Sequence, residues 1–189
     1  MSYSATTVLR KEHEAILKML DAAEATAHKI EKGGNVAVDT LEGLLEFLRL
    51  FADRCHHGKE EDLLFPKLGE KGFQPNTGPV AVMLYEHEQG RALIRRMVDA
   101  VEAFRAGNSG AALDWAVAAH SYVALLRAHI DKENNVLFVM AERVLSDREQ
   151  EDLAEAFERV ELEKMGEGTH ERLHGLMDRL LAEIFPSTR

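Results

Sequence analysis

The chain has 189 residues, 46% of them hydrophobic and only four of them proline, which is enough to bury one core without covalent staples. Its net charge of −10 would repel nucleic acid or an anionic membrane surface, so neither is an expected partner and a metal ion or small neutral molecule is the easier guest. The single cysteine, Cys55, allows no internal disulfide, and with no apolar signal segment and no run of about 18 apolar residues the expected location is cytoplasmic.

A first helix is predicted over about residues 7–32. Leu9, His13, Ile16, Leu17, Leu20, Ala27 and Ile30 recur at helical spacing, and Gly33-Gly34 supply the stop. A second, over about 39–65 and ended by Pro66, buries Leu41, Leu44, Leu45, Leu48, Ala52, Cys55 and Leu63. At roughly 100° per residue His56 and Glu60 fall at the edge of this stripe, whereas His57 points away from it, toward solvent.

Residues 69–77 read as a loop, and Pro79 suits the first turn of a third helix running to about residue 105. Met83, His87, Gly90, Ile94, Met97 and Val101 share one of its faces. A fourth helix is predicted over about 109–143 with Ser109 as N-cap, turning Trp115, Tyr122, Leu125, Leu126, His129, Glu133 and Val136 inward. Ser146 and Glu149 form a capping box that opens a fifth helix, and Gly166 and Gly168 separate it from a last one over about 169–185. The expected fold is all-α: an antiparallel up-down-up-down four-helix bundle over residues 1–143, with a C-terminal helical extension, 144–189, packed on it.

One pattern occurs twice. His56-His57-Gly58-Lys59-Glu60 is matched by His129-Ile130-Asp131-Lys132-Glu133, 73 residues on (129 minus 56), and both copies run on into Leu-Phe. Upstream of each lies a Glu-His-Glu, Glu12-His13-Glu14 and Glu86-His87-Glu88. The alignment pairs His56 with His129 and Glu60 with Glu133, and it sets His57 against Ile130 and Glu61 against Asn134. Repeat register and helical phase therefore select the same members.

Residues four apart on a helix share a face, so each His-x-x-x-Glu offers an imidazole and a carboxylate to one inward point. With one inward histidine on each of the other two helices, His13, His56, Glu60, His87, His129 and Glu133 form a set of six candidate metal ligands. Two ionised glutamates in a dry core cost several kcal/mol unless compensated, and a pair of divalent ions supplies that compensation. Mixed imidazole and carboxylate donors suit iron, with manganese or zinc as substitutes. Two glutamates bridging two irons would leave positions for a small ligand such as dioxygen, peroxide or nitric oxide. Asp53 and Tyr122 are placed to support His56 and His129. Glu12, Glu14, Glu86 and Glu88 read as surface charges, His170 and His174 as a solvated helix face, Cys55 as a buried inert thiol, and Met83 and Met97 as core filler.

These pieces, together with Cys55-His56-His57-Gly58-Lys59-Glu60-Glu61 leading into Leu64-Phe65-Pro66 and Glu86-His87-Glu88 followed by Gly90-Arg91, resemble the bacterial hemerythrin-like (HHE cation-binding) proteins over about residues 7–142. The resemblance implies a non-haem di-iron centre in a four-helix bundle. It also implies functions ranging over oxygen binding, sensing, nitric-oxide response and iron-sulfur cluster repair. Arg91 stands one turn after His87 where oxygen carriers of this kind have a further histidine, so an accessible iron that autoxidises is expected in place of reversible carriage. Two readings stay open: a binding or sensing module that signals through a protein partner or the C-terminal helices, and a redox enzyme acting on peroxide or nitric oxide, with iron storage a third.

Overall fold

A computed structural model of the chain describes residues 4–186. Among the described residues there are six helices and no strand: α1 Ala5–Glu31, α2 over 38–70, α3 Gly78–Arg105, α4 over 111–144, α5 Asp147–Met165 and α6 Thr169–Ile184. Neighbouring helices run antiparallel, as the order of cross-helix pairs shows. Between α2 and α3, Glu42 meets Arg105, Asp53 meets Arg91 and Glu61 meets His87. Between α1 and α4, Arg10 meets Asn134, Asp21 meets Arg127 and Glu31 meets His120. No described helix is long and apolar enough to cross a membrane.

Local chemistry sets most boundaries. Ser4 Oγ accepts from the Thr7 N–H at 3.3 Å to start α1, and Gly33, at φ 76°, follows its end. The Ser146–Glu149 capping box opens α5 as expected. Ser109 does not cap α4. Asn108 Oδ1 instead accepts from the Gly110 N–H at 3.1 Å, closing the turn before the helix begins at Ala111.

The larger departure lies inside α2 and α4. Leu48–His57 and Glu60–Leu64 in α2, and Glu133–Leu137 in α4, are π-helical, with Gly58, Phe65 and Phe138 donating to the carbonyls of Asp53, Glu60 and Glu133, five residues back. A π turn takes in an extra residue, so every side chain beyond it lags its α-helical phase. Of Leu63 and Val136, both predicted to be buried, Val136 is accordingly turned outward to 48% exposure and Leu63 is only partly buried at the edge of the core, and Leu64 and Leu137 take the interior. Pro66 does not end α2. It falls where the ladder returns to α-helical spacing, at a first-turn position that needs no N–H, and the helix continues to Glu70.

The core is divided. One apolar cluster contains Ile16, Ala52, Ile94 and Leu126, and a second contains Leu9, Leu64, Met83 and Phe138. On each bundle helix a histidine lies in sequence between a residue of one cluster and a residue of the other: His13, His56, His87 and His129. A polar layer thus crosses the bundle between two dry ends. Helix α5 adds Leu153 and Phe157 to the second cluster, and α6 adds Leu173, Leu176 and Leu180 to the first.

Candidate metal centre

The six sequence-selected residues are brought together in that layer. His13, His56, His87 and His129 are each 1% exposed, and Glu60 and Glu133 are fully buried. His13 Nε2 lies 2.9 Å from His56 Nε2, and His87 Nε2 lies 3.1 Å from His129 Nε2. The two carboxylates span the space between these histidine pairs. Glu133 directs Oε2 to His13 Nε2 at 3.2 Å and Oε1 to His129 Nε2 at 3.1 Å; Glu60 places Oε1 at 3.7 Å from His56 and Oε2 at 3.5 Å from His87.

His57 belongs to the same layer, which corrects the solvent-facing position expected for it. It is 3% exposed and stacks on the His87 ring with centroids 3.8 Å apart. The cause is the π-helical stretch that ends at His57: the wider turn reduces the angular step between neighbours, so His56 and His57 both face inward. The α-helical step used on the sequence separates them too far. Two groups of donor atoms result, each within 4.8 Å: His13, His56, Glu60 and Glu133, and His57, Glu60, His87 and His129. Glu60 is common to both.

Every one of these histidines has its other nitrogen engaged. His56 Nδ1 contacts Glu12 at 2.8 Å, His129 Nδ1 contacts Glu86 at 3.0 Å, and His87 Nδ1 contacts Glu61 at 2.6 Å. His13 Nδ1 reaches Asn134 Oδ1 at 3.0 Å and His57 Nδ1 reaches Asp53 at 3.3 Å. An imidazole whose Nδ1–H is held by an oxygen presents an unprotonated Nε2, the form a metal requires. Glu12 and Glu86 were expected at the surface. Tertiary packing instead carries each to the histidine of the next helix, and Lys59 and Lys132 close on them. The repeat already contained this signal, since Lys59 and Lys132 align within it and each Glu precedes a histidine. What the sequence lacked was the helix pairing that joins them.

Arg91 stays out of the donor layer. It is tied to Asp53 at 2.8 Å and to Glu61 and Glu88 at 2.7 Å. The imidazole beside His87 in the layer comes instead from His57 of α2. Tyr122 is buried, but among the described residues no hydrogen bond joins it to His129. Cys55 is buried as expected, and burial pushes its thiol up to about 12. His170 and His174 lie outside the layer, and they are half-buried against Phe51, not on an open helix face.

The electrostatics fit a cation. Burial, reinforced by the charge of Glu133, pushes the Glu60 carboxyl well above its usual range. Burial acts the same way on Glu133, but the charges of the neighbouring His129 and His13 outweigh it and hold Glu133 low. Burial, together with His13, depresses His56 to about 4, and burial with the neighbouring His87 and His129 holds His57 well below the histidine range. None of the four oxygens of Glu60 and Glu133 has an aligned hydrogen bond. Two buried carboxylates without donors, each facing imidazole nitrogens on both sides, are the arrangement a pair of divalent ions compensates.

The hemerythrin HHE cation-binding domain model matches residues 4–141, most of the chain. The chain belongs to this family. It is a metal-binding, hemerythrin-like helical bundle, with α5 and α6 beyond the matched region. Uncharacterized proteins of Mycobacterium tuberculosis and Mycobacterium bovis are 27% identical to it over 159 residues, which is 84% of this chain and 62% of theirs. The chain thus spans less than two thirds of the length of these relatives. No solved structure matches it.

Proposed function

We propose that this hemerythrin-like chain holds two iron ions, one on His13 and His56 and the other on His57, His87 and His129, with Glu60 and Glu133 shared between them. We further propose that it reversibly binds a small molecule, namely dioxygen, nitric oxide or peroxide. The observation that carries this reading is the unequal division of histidines. With both carboxylates shared, the two-histidine side would be held by one protein donor fewer than the three-histidine side, so a guest would bind there.

When bound, iron supplies the coordination and electron-transfer chemistry toward such a guest. The chain's own residues set its surroundings. Glu12, Glu61, Glu86 and Asn134 hold the imidazoles in the ligand tautomer. Phe138 stacks on His13 at 5.5 Å and Phe65 on His87 at 5.8 Å, and with Leu9 and Leu64 they keep one end of the layer dry. A dry wall slows water and protons that would otherwise drive oxidation. Arg91 offers no donor one turn after His87; His57, stacked on His87, would take that place, and capture would then be reversible.

Elemental analysis of iron-reconstituted protein should give two irons per chain. Anaerobic reduced protein mixed with each gas in a stopped-flow spectrometer should give a long-lived oxygen adduct that degassing reverses. One iron per chain would remove the dinuclear centre. Sustained turnover of peroxide or nitric oxide with an added electron donor would replace the binding reading by a redox enzyme.

A further inference from the structure

His170 and His174 sit one turn apart on α6 and are not used by the centre described above. Their Nε2 atoms face each other at 2.8 Å, as do the Nε2 atoms of His13 and His56 at 2.9 Å and of His87 and His129 at 3.1 Å. Glu161 Oε1 lies 2.6 Å from His170 Nδ1, off the line of the ring N–H, so the carboxylate occupies the Nδ1 side and Nε2 is the nitrogen turned toward His174. A carboxylate thus lies on the Nδ1 side of His170, as Glu12, Glu61 and Glu86 do at His56, His87 and His129. The pair opens on a cavity of about 330 Å³ that is also lined by Glu12, Lys59, Glu158 and Glu161.

From this cavity a continuous series of metal-ligating side chains leads inward. Glu161 carries one oxygen to His170 and the other to Lys59 Nζ, at 2.8 Å. Donor atoms of Glu161, Cys55 and Glu12 lie within 4.8 Å of one another, and Glu12 reaches His56 at 2.8 Å. The ammonium of Lys59 sits between Glu12 and Glu161, so a cation is discouraged from resting midway. The histidine ends are where an ion can stop.

We propose that His170 and His174 form an outer capture site for a divalent first-row transition ion, from which the buried centre is loaded past Glu161 and Glu12. Two imidazoles at i and i+4 suit such ions, and the open cavity leaves water to complete the coordination. The proposal rests on the reading of the buried layer as a metal centre, and its test separates the two.

Metal-free full-length protein is mixed anaerobically with cobalt(II) in an amount no greater than the buried centre alone takes up, the filling of the centre is followed by visible absorption, and the final cobalt content is measured by elemental analysis. The variants are H170Q, H174Q and the double substitution. A pair on the remote surface cluster of His28, Glu31 and His120, H28Q with H120Q, serves as control. The double variant should fill about tenfold more slowly than the unaltered chain, because the local ion concentration at the route's mouth is lost. It should still end at the same cobalt content, and the control should fill at the unaltered rate. Equal rates in the double variant and the unaltered chain overturn the capture site while leaving the buried centre intact. Equal slowing in the control overturns it as well, since general surface charge would then be responsible. A lower final content in the double variant also overturns it, because the pair would then store metal and not pass it on. If the unaltered chain takes up no cobalt, the centre and the capture site fall together.

Discussion

Glu12 and Glu86 occupy equivalent places in the repeat, and their environments predict unequal consequences when each is replaced by glutamine. Glu12 holds His56 Nδ1 and pairs with Lys59, and these partners are about as buried as a side chain can be: Lys59 is 1% exposed and the Glu12 side chain 7%. Burial pushes the Glu12 carboxyl up, yet His56 and Lys59 more than offset this and hold it below the usual range. Removing the charge strands an ammonium in the interior with Glu161 as its remaining partner. Breaking a buried pair from one side costs about 3–5 kcal/mol, and the retained Glu161 contact places Glu12→Gln near the lower figure, about 3 kcal/mol. For a chain of this length that is a fall of about 6–12 °C in melting temperature. Glu86 pairs with Lys132, which is 39% exposed, so water takes over its solvation in Glu86→Gln and the loss stays within about 1 kcal/mol. Both variants should lose about tenfold or more in metal affinity, since each weakens the hold on a ligating histidine. Melting of the metal-free variants by circular dichroism, with chelator competition for affinity, reads the two effects separately. Equal melting temperatures in the two metal-free variants, or unchanged metal affinity in both, would refute the reasoning.

His57→Ala should lose metal as severely as His56→Ala, because both imidazoles lie in the donor groups; metal retention at matched helicity checks this, and a His57 variant that keeps its full metal content removes it from the centre. Chelation should lower the melting temperature, since Glu60 and Glu133 then remain buried without a cation. Unchanged melting in protein shown to be metal-free would contradict this. Glu161, held near 2 by His170 and Lys59 against the opposing pull of burial and an ordinary 4.5, contributes stability that is fully present above 4.5 and is lost as pH falls toward 2. The melting temperature of the unaltered chain should therefore drop more steeply over that window than that of Glu161→Gln, and parallel profiles would count against the contact. Phe138→Ala opens a space beside His13 and should cost about 3–5 kcal/mol and shorten the life of any oxygen adduct; a stable adduct in this variant would show that the aromatic wall does not protect the centre.

The sequence determined the helices, because hydrophobic period, glycine stops and the Ser146 capping box are local properties. It also selected six donors, because a repeat compares two copies of one solution and needs no coordinates. Three things were decided only by tertiary structure. The π turns are widened where Glu60 and Glu133 enter the layer, and they turn His57 inward and Val136 outward; a pattern read at constant α-helical step cannot register an added residue within a turn. Glu12 and Glu86 became buried supports because each reaches the histidine of the following helix, a pairing invisible along one helix, where neighbours of a ligand simply point away from it. His170 and His174 were set beside Phe51, Glu161 and Lys59 by the packing of α5 and α6 on the bundle. Spacing in their own segment gave no hint of it, since Phe51 and Lys59 come from α2 and Glu161 from α5.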